Sequence, residues 1–105
     1  ESALGLMDTA LPVEEQELLK KALEPYTQKG VQYHALRTRQ SGSRRFASMH
    51  ILVPDTWTVF DGHQLLEKIE ADIRHTLPGI TVFTHLEPIN DPTSFEDTNL
   101  DRTDP

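Results

Sequence analysis

The chain contains no cysteine and only one tryptophan, and basic residues are scarce, with 10 Lys+Arg set against 17 Asp+Glu. Without cysteine there is no disulfide scaffold, no thiolate zinc finger and no redox motif, so any metal site must use nitrogen and oxygen ligands. The formal charge of −7 argues against general binding to a phosphate backbone, and no nucleic-acid partner is expected. No run approaches the roughly 20 apolar residues that span a bilayer. The start, with Glu1 and Ser2 ahead of Leu4 and Leu6, lacks the basic leader of a signal peptide, so a soluble chain is expected. A length of 105 residues fits one small domain, for which a metal ion or a partner subunit is a useful addition to a limited core. Against these absences, the five histidines are the count to follow.

Hydrophobic periodicity predicts an α-β-β-α-β order. From Val13, the residues Leu18, Leu19, Ala22 and Leu23 recur at helical spacing behind the acids Glu14, Glu15 and Glu17, and Pro25 and Gly30 mark the stop. Segments 31–40 and 44–53 are strand-like, with Ser41-Gly42-Ser43 between them as turn chemistry. Asp61 is the expected N-cap of a second helix carrying Leu65, Leu66, Ile69 and Ile73 on one stripe, ended by Pro78-Gly79. A third strand runs from Ile80 to about Glu87. The fold class is α+β: an open three-stranded sheet with two helices on one face. The domain is expected over 9–89. Residues 1–8 read as a linker, and 90–105, with five acids and few large apolar residues, as an acidic tail.

A hairpin centred on Gly42 opposes Val31 to Val53, Tyr33 to Ile51 and Ala35 to Met49, which makes a continuous apolar face. On the other face the same register sets His34 across from His50, at a Cβ separation of about 4.5–5.5 Å. A slip of one residue would exchange the two faces. In the third strand Ile80 and Val82 take the core parity, while His85 and Glu87 project together on the face of His34 and His50. Three imidazoles and a carboxylate suit a borderline divalent ion such as zinc. His63, two residues past Asp61, is within reach of the sheet edge, and His75 reads as a solvated helix-end residue. Each histidine taken singly is an ordinary surface residue; the opposed pair and the His85/Glu87 pair are what point to a metal. Arg37, Arg39, Arg44 and Arg45 flank the turn as a charged tip that resists edge pairing.

The segment HALRTRQSGSRRF at 34–46, followed by His50, His63 and THLEP at 84–88, with the LMDTALP lead-in at 6–12, closely resembles the cytoplasmic C-terminal domain of cation diffusion facilitators, the zinc/divalent-cation:proton antiporters. The resemblance implies a metallochaperone-like domain, a variant of the ferredoxin-like fold. It implies a homodimer that binds Zn²⁺, or another divalent transition metal, at the subunit interface and regulates transport by the membrane part of the same parent chain. That places it on the cytoplasmic side of the cell (inner) membrane, with residues 1–8 as the link from the last transmembrane helix. By the same resemblance the metal ligands are His34, His50, His63, His85 and Glu87. Glu87 stands where the family has a bridging aspartate, one methylene shorter. The transport site lies in the membrane helices, so no catalytic role is expected here. Metal binding needs neutral imidazoles and is expected to weaken as pH falls through about 6.5. Alternative readings are a structural dimerisation module with little or no metal binding and a small metal-dependent hydrolase.

Overall fold

A computed structural model describes residues 9–90. The expected linker 1–8 lies outside the described residues, as does the expected tail apart from Asn90. The order is α1 (Val13–Thr27), β1 (Gln32–Ser41), β2 (Arg44–Val53), α2 (Val59–Thr76) and β3 (Thr81–Pro88). The sheet runs β1-β2-β3, with β1 and β2 antiparallel and β3 parallel to β2. The connection between the parallel strands is α2, a crossover of the length such pairing needs. Both helices pack on one face. Leu19 and Leu23 from α1 and Ile69 and Ile73 from α2 meet Ala47, Met49, Ile51 and Val53 of β2 in one buried cluster. The α+β architecture is the one the periodicity predicts.

Three local expectations are corrected. α1 runs through Pro25 to Thr27, because a proline in the last turn forfeits only one helical bond while Gln28 N–H still caps Glu24 O. The N-cap of α2 is Thr58 rather than Asp61: the Thr58 hydroxyl accepts from Asp61 N–H at 3.0 Å, and Asp61 sits in the first turn. Third, the hairpin is not centred on Gly42. Ser41 pairs with Arg44 around the two residues Gly42 and Ser43, and Gly42 takes φ 61°, as a tight hairpin with glycine in its first central position requires.

That turn alone would have moved His34 out of line with His50. The offset is taken up by a β-bulge: Ala35 and Leu36 occupy the space between the His34–His50 and Arg37–Ser48 pairs, so two residues of β1 face Met49 alone. Ala35 carries the distortion at φ 55°, and the expected Ala35–Met49 pairing is replaced by it. Tyr33 opposes Ile51 as expected. Val31 lies just ahead of the strand and is buried in the same core as Val53. The bulge sends Leu36 toward the core and brings Arg37 and Arg39 onto the face that carries His34.

Specific side-chain bonds cross-link the elements. Tyr26 donates its hydroxyl hydrogen bond to Asp72, joining α1 to α2, and Thr84 donates to Glu70, joining β3 to α2. Burial first, then the bond to Asp72, raise the Tyr26 phenol well above its ordinary range. Arg45, on the core side of the hairpin, donates to Glu15 at 3.0 Å and to the Pro78 carbonyl. Thr9 and Gln40 exchange two backbone bonds, which seats the entering chain beside the hairpin tip. No helix among the described residues is long and apolar enough to cross a membrane.

Candidate metal centre

Strand alternation delivers the site. In β2 the even residues Ser48 and His50 face away from the helices, and the ladders set His34 beside His50 on one side and His85 beside it on the other. The ring centroids are 5.3 Å apart for His34–His50 and 5.2 Å for His50–His85. Glu87, two residues beyond His85, turns its carboxylate across the strands. Its Oε2 lies 3.0 Å from His50 Nδ1 and its Oε1 3.9 Å from His34 Nε2. These three side chains are only 13–17% exposed, and Leu52, paired with Glu87 on the ladder, is fully buried. Such surroundings strengthen charge pairing relative to open water.

His34, His50 and Glu87 each offer one ligand atom, all within 4.8 Å of one another. Ligands about 2.0–2.1 Å from a tetrahedral zinc ion sit roughly 3.3 Å apart. The His50–Glu87 separation of 3.0 Å is close to that spacing, and His34, 3.9 Å from the other Glu87 oxygen, must close in for all three to share one ion. The donor set of two imidazoles and one carboxylate, with a position left open, is therefore compatible with a divalent ion.

The five residues expected as ligands divide. His34, His50 and Glu87 come together, and His85 stands ring to ring against His50 at the edge of the group. His63 does not join them within one chain: it lies on the exposed side of α2, with its side chain 65% exposed and Nε2 3.7 Å from Glu67. His75, in the last turn of α2, is exposed as expected. Two features of the site had no signal in the periodicity. One is an apolar rim at the start of α2, where Val59 is 85% and Phe60 69% exposed; both lie off the Leu65-Ile69-Ile73 stripe, and Trp57 is part-exposed beside them. The other is Gly62, where a Cβ would come within 2.1 Å of Leu86 Cδ2. This close approach seats Leu86 between His85 and Glu87, and its sequence trace is a glycine inside an otherwise regular helix.

A three-stranded sheet backed by two helices, with a half-buried cluster of imidazoles and carboxylate on its open face, defines a small α+β domain of the metallochaperone-like kind. Residues 11–89 match the family described as cation efflux protein, cytoplasmic domain, and the chain belongs to that family. It is 45% identical over 96 residues to the uncharacterized transporter sll1263 of Synechocystis, covering 91% of this chain and 31% of that protein. It is 35% identical over 89 residues to the cation-efflux pump FieF of Serratia proteamaculans, covering 84% of this chain and 29% of the pump. The chain thus spans under a third of the length of these curated relatives. Among solved structures, it resembles the Zn form of the putative zinc transporter CzrB with a TM-score of 0.69 and 30% identity, over 81% of this chain and 97% of that one. The metal-bound C-terminal domain of the CzcD transporter from Thermotoga maritima gives 0.68 and 27% over 76% and 93%.

Proposed function

We propose that this chain is the regulatory domain of a divalent-cation efflux transporter, binding zinc-like ions at a homodimer interface and coupling metal level to closure of the dimer. The observation that carries the reading is the convergence of His34, His50 and Glu87 on one volume, with His85 against it. When bound, the ion supplies positive charge that holds the carboxylate and neutral imidazoles together. Glu87 sets one carboxylate oxygen 3.0 Å from His50 Nδ1 and turns the other toward His34. His63, remote within one chain, reaches such a centre from the partner subunit's helix. The exposed Val59 and Phe60 beside it supply the apolar contact area for that docking. Two facing copies without metal bring their Glu87 carboxylates together, and a cation relieves that repulsion. Metal then shifts the open–closed equilibrium by its differential affinity for the two forms. The transmembrane part of the parent chain is the partner that reads this shift, on the cytoplasmic side of the membrane; residues 1–8 connect to it and 9–89 form the domain.

Thermal unfolding under buffered zinc tests the reading. A ligand at 100 times its dissociation constant stabilises the native state by about 2.7 kcal/mol, which for a domain of this size raises Tm by about 10–20 °C. No change in Tm would leave only the structural dimerisation module.

A further inference from the structure

The bulge at Ala35 and Leu36 does more than align the histidines. By shifting parity it places Arg37 and Arg39 on the open face of the sheet, where they border a groove of about 570 Å³ floored by Phe46, Ser48 and Phe83. Arg37 and Arg39 are exposed, the Arg39 guanidinium stacks 4.5 Å above the Phe46 ring, and Phe83 is 54% exposed. Over residues 34–50 the net charge is +4, all of it from arginine, in a chain whose total is −7. An open cationic and aromatic groove of this kind fits an acidic segment that carries an apolar anchor.

The chain supplies one. Residues 90–105 hold Asp91, Glu96, Asp97, Asp101 and Asp104 against a single Arg102, with Phe95 and Leu100 among the acids. They follow β3, which ends at Pro88 on the same sheet. Phe83 lies six residues back along the strand from Ile89, about 20 Å at strand rise. Sixteen residues extend to about 50 Å, so the length of the segment exceeds that distance with slack. Tethering makes the encounter intramolecular, at an effective concentration in the millimolar range, so weak individual contacts suffice.

We propose that the acidic segment 91–105 of this chain docks back onto the Arg37/Arg39/Phe46/Phe83 groove of its own sheet, with Phe95 as the apolar anchor and its acids against the arginines. The route from Ile89 to the groove runs along β3 past Glu87 and His85, so the docked segment lies over the face that carries the histidines and competes with a second copy for it. The proposal stands on charge, reach and groove geometry and does not depend on metal binding.

The absence of cysteine in the chain makes the test direct. Two versions of the full chain are oxidised at micromolar concentration, one with Ser48→Cys and Ser94→Cys, the other with Lys21→Cys and Ser94→Cys, which puts the first cysteine on α1 at the far side of the sheet. The intrachain disulfide between positions 48 and 94 is expected to form at least tenfold faster than that between 21 and 94. The ratio should fall toward one in Arg37→Glu/Arg39→Glu, in Phe95→Ser and in 0.5 M NaCl. Circular dichroism melts confirm folding of each variant, and the Phe95→Ser and salt arms decide if the arginine variant is unfolded. Equal rates in the parent pair, a ratio insensitive to charge reversal, salt and Phe95→Ser, or a predominance of interchain disulfide would overturn the proposal. The last outcome assigns the groove to a second copy of the chain.

Discussion

Glu87 is the side chain on which the candidate centre turns, because one carboxylate reaches both imidazoles from a neighbouring strand. Glu87→Gln keeps its shape and removes its charge, so zinc affinity should fall tenfold or more. By linkage that removes about 1.4 kcal/mol of the zinc-dependent stabilisation, while His75→Ala should leave it intact; isothermal titration beside thermal melts reads both. Tyr26 gives a prediction independent of metal. Its hydroxyl joins α1 to Asp72 of α2, so Tyr26→Phe should cost about 1–2 kcal/mol in urea unfolding at pH 8. Because the phenol's pKa is raised in the folded state above its ordinary 10.0, this stabilisation is complete below pH 10 and lost as pH rises further. The gap between wild type and Tyr26→Phe should therefore narrow in melts above pH 10.

Among the elements, β1 is the informative one. Ala35 at φ 55° holds a left-handed conformation that costs an L-residue about 1–2 kcal/mol, and the bulge it makes keeps His34 and Arg37 on one face. Ala35→Gly should raise stability by about 1 kcal/mol and preserve the zinc response. Deleting Ala35 removes the parity shift, so either His34 or the arginine pair must change face, and the zinc-dependent Tm increase should disappear or the hairpin should destabilise. α2 and β3 meet at Gly62, where Leu86 leaves no room for a Cβ. Gly62→Val should destabilise by about 1–3 kcal/mol through overpacking and, by displacing the strand segment between His85 and Glu87, weaken zinc binding as well.

Taken as a whole, the molecule is polarised. The helices and core occupy one side of the sheet, while the histidines, Glu87, Phe83 and the two arginines share the open side. On the proposed function and the proposed docking, one face serves metal, a second copy and the acidic segment 91–105 in turn. On the proposed function, sedimentation velocity should show the dimer fraction rising with zinc and falling on chelation. Introducing a charge at either exposed position, by Val59→Asp or Phe60→Asp, should lower dimerisation with little effect on the thermal stability of the monomer. Dimerisation that ignores zinc, with an unchanged melt, would point to the structural module.

The element order, the core parity of β2 and β3 and the opposition of His34 to His50 were legible in the sequence, because each depends on local periodicity and on which residues favour turns; the parity of β1 beyond His34 was not. The opposition was legible by compensation: the turn is shorter by half a register step than a Gly42-centred one, and the bulge restores the alignment. No residue-type signal marked that bulge, since alanine rather than glycine takes the positive φ. Nor could periodicity place β3 parallel beside β2, bring Glu87 to within 3.0 Å of His50, or leave His63 outside on α2. Those outcomes come from long-range packing. Strand order, bulges and helix docking are settled by how the whole apolar face is buried at once, a condition no window of sequence contains. The sequence determined which side chains were available for a nitrogen and oxygen metal site; the tertiary structure decided which of them meet.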